Sequence, residues 1–270
     1  MRTSSDVDVL VKPEDLEKAA GTLAGAGYEK MCETAHDVSF LSPNKWHVEL
    51  HHTLIEEFRR PATAEVLGRV WAYSAPAFEG SFEYRMRDEM FYYYHVAHMV
   101  KHFEGGGCGV RSFADLWLLE HRTAFDRAAR EELLKEGGIA VFADYARRLS
   151  EIWFSCREND PSLDDFAHFV LNGGVYGTVG QAVLTRKSKS DKKGARYLFS
   201  RLFPPAKIMK GRYPALQKRP ALLPFYYTRR MFSLLRPKTR RRATAEINAE
   251  KKTDEAAAER AAALMKQLEI

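Results

Sequence analysis

Arg2-Thr3-Ser4-Ser5-Asp6-Val7-Asp8-Val9-Leu10-Val11 contains the stretch that decides the fold, its last six residues. Val7, Val9 and Val11 alternate with Asp6, Asp8 and Leu10, the two-residue period of a strand with one face on a core. Residues two apart project from the same face, so the carboxylates of Asp6 and Asp8 stand side by side, about 6 to 7 Å apart along the backbone. Three valines on the opposite face predict a buried strand, whose acidic face then needs compensation.

The neighbouring segments complete a small α/β unit. Lys12-Pro13-Glu14-Asp15 starts a helix, with proline near the first turn and acids at the positive end of the helix dipole. Leu16, Ala19, Ala20 and Leu23 give that helix an apolar stripe, and Gly25-Ala26-Gly27 ends it. A short strand is predicted near Tyr28 to Glu33 and another over Asp37 to Leu41, which turns at Ser42-Pro43-Asn44 into Trp46-His47-Val48-Glu49-Leu50-His51. In the last run Trp46, Val48 and Leu50 face one way and His47, Glu49 and His51 the other.

From about Ala62 the periodicity becomes helical, with helices predicted over Ala64 to Trp71, Asp88 to Phe103, Ser112 to Arg122, Arg127 to Glu136, Ile139 to Phe154 and Leu163 to Asn172. Lys187 to Arg196 reads as an exposed basic loop, and Phe203-Pro204-Pro205, Tyr213-Pro214 and Leu223-Pro224-Phe225 as short pieces packed on the body. After Arg236-Pro237 the composition becomes rich in Ala, Glu and Lys, a helix-prone tail that composition places in solvent or on a partner. The expected organisation is a core over residues 1–75, a helical region over 76–235 and a charged tail over 236–270.

Length and composition suit an ordinary globular protein: 270 residues, 45% hydrophobic, can bury a full core. Three scattered cysteines, Cys32, Cys108 and Cys156, match neither a disulfide framework nor a paired zinc motif, and point to a reducing compartment. No apolar signal region opens the sequence and no stretch reaches the roughly 18 to 20 apolar residues of a membrane span, so the expectation is a cytoplasmic protein without integral membrane association. The net charge of +6 is unevenly placed. Residues 185–270 hold 23 Lys/Arg against 7 Asp/Glu, a surplus of 16 that leaves the first 184 residues at −10. Such a basic third can track nucleic acid or anionic lipid, but a solvated face ranks ahead of either.

Paired carboxylates on one strand face suit a hard cation such as Mg²⁺, or Mn²⁺, which takes carboxylate oxygens and leaves positions for water and substrate phosphates. Two-metal nucleotidyl transfer holds its ions about 3.5 to 4 Å apart, which calls for a third acid, and Glu49 lies on the polar face of the next well-formed strand. The alternative is an edge-strand aspartate pair facing water. His51, on the face of Glu49, can donate to a phosphate or orient the carboxylate.

Arg2 to Val11, the helix ending at Gly27-Tyr28, and Val48-Glu49-Leu50-His51 resemble the uncharacterised nucleotidyltransferase family of the DNA polymerase beta superfamily. The likeness continues through His95-Val96-Ala97-His98-Met99-Val100-Lys101-His102-Phe103, Gly109-Val110-Arg111 and Asp115, and so spans most of residues 1–235. It implies an α+β fold: a small mixed-sheet polymerase-beta-like core, N-terminally incomplete, followed by a helical domain. It implies metal-binding and catalytic roles for Asp6, Asp8 and Glu49, an NTP as substrate, and nucleotide contacts from Arg2, Ser4, Ser5 and Arg111. The acceptor is not supplied by the resemblance. Members carry a helix and a Gly-Ser or Lys-Gly turn before the acidic pair, whose backbone amides grip the triphosphate. Five residues precede Asp6 here, so the expectation is that Met1 corresponds to an internal position of a longer ancestral chain, and that nucleotide binding by this polypeptide alone is weak.

His95, His98 and His102 fall on one helical face with Lys101 beside them. Three readings stand: histidines bonded to backbone or to the first region's carboxylates, a cationic face from Lys101 and His102 toward a triphosphate, and a zinc pair at His98 and His102. Arg111 and Asp115, one turn apart, fit an ion pair. No nucleophile motif, Walker A motif or dinucleotide fingerprint is present. The rival to a Mg²⁺-dependent transferase is a non-catalytic binding or assembly protein that keeps the fold and uses its basic C-terminal third on a partner. Nucleic acid ranks behind the nucleotide as a ligand.

Overall fold

The computed structural model describes residues 6–55, 60–174, 178–188, 203–233 and 255–270, with isolated positions between 241 and 249. The chain is α+β and divides into two compact units, one of residues up to Gly68 together with a return over 203–232, the other from Arg69 onward, including the C-terminal residues from Ser233.

In the first unit, β1 (Asp6–Leu10), α1 (Leu16–Gly25), β2 (Glu29–Glu33), β3 (Asp37–Leu41) and β4 (His47–His51) form a four-stranded mixed sheet in the order β1-β4-β3-β2. β2, β3 and β4 run antiparallel, while β1 joins parallel to β4 at the edge. The parallel pairing follows from α1, which carries the chain back over the sheet. A pair of backbone bonds ends α1: Gly27 donates to Ala24 and Tyr28 to Leu23, both at 3.0 Å, and Gly27 takes φ +84°. This is the left-handed cap that glycine supplies without steric cost. It swings Tyr28 onto the core beside Leu23.

One sheet face and α1 make that core. Val38, Phe40 and Leu50 are buried, with Val11, Leu16, Ala19, Ala20, Leu23 and Val48 packed around them. The expected burial of β1 is corrected here: Val7 is 48% and Val9 38% exposed. β1 is an edge strand, and the ten-residue α1 packs on Val11 without covering the two valines before it. After α2 (Pro61–Gly68), three short helices return to this unit: α9 (Ala206–Arg212), α10 (Ala215–Lys218) and α11 (Leu223–Ser233). They bury Met209 and Leu216, and Ala35 donates a backbone bond to Gly211 at 3.1 Å.

The second unit opens with a two-stranded ribbon the sequence pattern did not announce, β5 (Ser74–Pro76) with β6 (Tyr84–Met86). Strands of three residues carry too few alternations to be read. Then come α3 (Asp88–Glu104), α4 (Val110–Arg122), α5 (Arg127–Glu136), α6 (Ala140–Phe154), α7 (Asp164–Asn172), α8 (Val179–Ser188) and, at the end of the chain, α12 (Glu255–Gln267). Phe103, Phe113, Phe142 and Phe166 are fully buried and meet edge to face or tilted, with centroids 5.4 to 5.7 Å apart. Gly106, with φ +114°, lies so close to α8 that a Cβ would fall 2.4 Å from the Ala182 amide nitrogen. Its glycine is demanded by that approach rather than by a loose turn. α8 continues to Ser188, so the basic segment expected from Lys187 begins inside a helix.

Candidate active site

The sheet face opposite α1 is polar. The parallel register sets Asp6 against His47, Asp8 against Glu49 and Leu10 against His51, while antiparallel β3 sets Ser39 against Glu49 and Asp37 against His51. Register partners project from the same face. Asp8 and Glu49 are therefore direct neighbours on adjoining strands, and His51 lies one step along β4.

His51 Nε2 lies 3.3 Å from Glu49 Oε2 and 3.6 Å from Asp8 Oδ1. The imidazole is 18% exposed, against 34% for the Glu49 side chain and 61% for Asp8. A ligand atom from each of the three comes within 4.8 Å of the others. Two carboxylates supply the hard oxygen donors that suit Mg²⁺ or Mn²⁺, and the imidazole extends the set toward Mn²⁺ and other transition cations. Asp6 occupies the next register position on the same face by its backbone; its side chain, with Arg2, Ser4 and Ser5, lies outside the described residues.

Lys101, His102 and Arg111 belong to the second unit. His102 Nε2 lies 3.1 Å from His98 Nε2, and burial, aided by Lys101, lowers the His102 pKa. His95 Nε2 lies 2.9 Å from the Ser112 carbonyl and ties α3 to the start of α4. Arg111 is exposed in the first turn of α4. Cys108 is buried, and burial pushes its thiol up to about 11, which keeps it protonated and unreactive at neutral pH.

His36 and Asp37 were not singled out in the sequence. They lie against His51 on the polar face, and ligand atoms of the three come within 4.8 Å of one another. The signal was present in the alternation: Asp37 is two residues before Ser39, and the turn after Leu41 sets it opposite His51. His52, next along the chain, has its pKa lowered by burial, against the opposing pull of Asp37.

The family described as an uncharacterised nucleotidyltransferase matches residues 1–155. Among the curated proteins and among the solved structures, nothing matches the chain. Among the described residues no helix is long and apolar enough to cross a membrane.

Proposed function

The chain belongs to the uncharacterised nucleotidyltransferase family, and on that premise we propose that it transfers a nucleoside monophosphate from an NTP to a hydroxyl acceptor. The acceptor oxygen attacks the α-phosphorus, the bond from that phosphorus to the β-phosphate bridging oxygen breaks, and pyrophosphate leaves. Asp6, Asp8 and Glu49 are the residues that would hold Mg²⁺. When bound, the ion neutralises the triphosphate and lowers the pKa of the attacking hydroxyl.

The observation that carries this reading is the register pairing of Asp8 with Glu49 on adjoining parallel strands, with His51 Nε2 within 3.6 Å of both carboxylates. Asp8 and Glu49 bind; His51 positions. Its ring nitrogen stands within 3.6 Å of both carboxylates on the same face, where it is placed to orient them for a cation. The proton released by the acceptor has carboxylate and imidazole acceptors on the same face.

The test is transfer of a labelled nucleotide in the presence of Mg²⁺ by the wild type and by the double variant Asp6→Asn, Asp8→Asn. The double variant should lose turnover; undiminished transfer would remove the carboxylates from the chemistry. Thermal stability supplies the binding half: an NTP with Mg²⁺ at a hundred times its Kd should add about 2.7 kcal/mol. No stabilisation by any NTP would favour the non-catalytic assembly protein.

A further inference from the structure

We infer that His36, Asp37 and His51 form a binding site for a transition-metal dication of the Zn²⁺ class, beside the nucleotidyl-transfer carboxylates and sharing His51 with them. Ligand atoms from the two imidazoles and the carboxylate lie within 4.8 Å of one another, and all three residues are half-buried. Two nitrogens and one oxygen are a borderline-soft donor set, which favours Zn²⁺ and its neighbours over Mg²⁺. Three protein ligands leave a fourth, tetrahedral position for water or substrate.

One threonine prepares both inner ligands. Thr34 Oγ1 donates to Asp37 Oδ1 and lies 3.0 Å from His36 Nδ1. With Nδ1 beside Thr34, Nε2 is the ring nitrogen on the side of Asp37 Oδ2. His36 Nε2 and Asp37 Oδ2 stand 3.9 Å apart. That separation is too long for a hydrogen bond and lies within the span of two ligands on one cation, each about 2.0 to 2.2 Å from it. The backbone amides of His36 and Asp37 also point at Thr34 Oγ1, at 3.3 and 3.2 Å, which locks the hydroxyl. Outer bonds of this kind, to the far nitrogen of a histidine and the far oxygen of a carboxylate, orient metal ligands. The His51 ring reaches the site from β4, its centroid 6.0 Å from that of His36.

The inference goes beyond nucleotidyl transfer and is tested without nucleotide. Metal-free full-length chain is titrated with Zn²⁺ alone by calorimetry, against a chelator of known affinity. One equivalent should bind, and His36→Ala and Asp37→Asn should each weaken it about tenfold or more, as should Thr34→Ala, with Thr34→Ser restoring affinity. Asp8→Asn and Glu49→Gln reach the site only through His51, which stands 3.6 and 3.3 Å from them, and should weaken Zn²⁺ binding less than His36→Ala or Asp37→Asn does. His36→Gln replaces His36→Ala if the latter melts lower than the wild type without metal. Wild-type affinity in both His36→Gln and Asp37→Asn would overturn the site, as would a loss in Asp8→Asn or Glu49→Gln equal to that in the His36 variant, which would move the ion onto the carboxylate pair.

Discussion

Glu49 and His51 stand two residues apart on β4, point from the same face, and bring Oε2 and Nε2 to 3.3 Å, with Asp8 Oδ1 a further 3.6 Å from the same nitrogen. Two carboxylates on neighbouring strands repel, and a directly opposed like-charge pair destabilises a ladder. The imidazole, within 3.6 Å of both, is the group placed to orient them.

His51→Ala should therefore leave the fold in place, since the core lies on the other face with Leu50, but loosen the carboxylates. A loss of about ten- to a hundredfold in divalent-metal affinity is expected, the usual size for removing an orienting partner. Mn²⁺ binding followed by electron paramagnetic resonance reads it directly, and the Mg²⁺ concentration for half-maximal transfer should rise in parallel. His51→Gln, which keeps a donor, should fall between the two. Equal Mn²⁺ affinity in all three proteins would show that the imidazole orients nothing.

The strands and the long helices were legible because each repeats its period several times, and α5 begins and ends where the pattern places it, at Arg127 and Glu136. The pairing of β1 with β4 was not. Alternation shows that Asp8 and Glu49 lie on polar faces, whereas the strand order β1-β4-β3-β2 that makes them neighbours depends on where the chain crosses over. Alternation likewise marks Val7 and Val9 as an apolar face without telling whether anything covers it, and α1 is too short to do so. His36 and Asp37 escaped notice for the same reason, since their company with His51 exists only in the β3–β4 register.

The helical unit contains a buried charge cluster whose weight can be measured. The Tyr92 hydroxyl donates to Glu120 Oε1 at 2.7 Å, and Arg130 Nη1 donates to the same oxygen at 2.9 Å. The Arg130 and Glu120 side chains are 7% and 9% exposed, and the guanidinium lies over the rings of Tyr92 and Phe125 at 4.8 and 4.9 Å. Arg130→Ala strands a buried carboxylate and should cost about 3 to 5 kcal/mol, read from urea unfolding. Burial, reinforced by the Glu120 charge, raises the Tyr92 pKa above its ordinary 10.0. The folded chain thus holds a neutral phenol where the unfolded chain would ionise. That contribution is fully present below pH 10 and is lost as pH rises from there toward the folded-state pKa. Wild-type stability should fall across this alkaline range more steeply than that of Tyr92→Phe; parallel pH profiles would detach the phenol from the cluster's energetics.

The C-terminal helix makes the last prediction. The composition of residues 236–270 suggests a helix-prone tail in solvent or on a partner, and within it Ala261, Leu264, Met265 and Leu268 are 5, 4, 3 and 0% exposed. Their spacing of i, i+3, i+4 and i+7 is the narrow stripe of a helix that buries one face, easily overlooked among the surrounding alanines and charges. α12 lays that stripe against α8, where Ala182, Val183 and Thr185 are buried in turn. A chain ending at residue 254 would expose both stripes. Leu264→Ala or Leu268→Ala should each cost about 2 to 5 kcal/mol through lost transfer energy and the cavity left behind. Because α8 also carries Ala182 against Gly106, loosening α12 should be felt at the turn after α3. Hydrogen exchange reads both ends of that coupling. In Leu268→Ala the amides of α8 should lose protection along with those of α12, while the strands β1 to β4 of the first unit keep theirs. Protection lost in α12 alone would mean that α8 holds its place without the terminal helix.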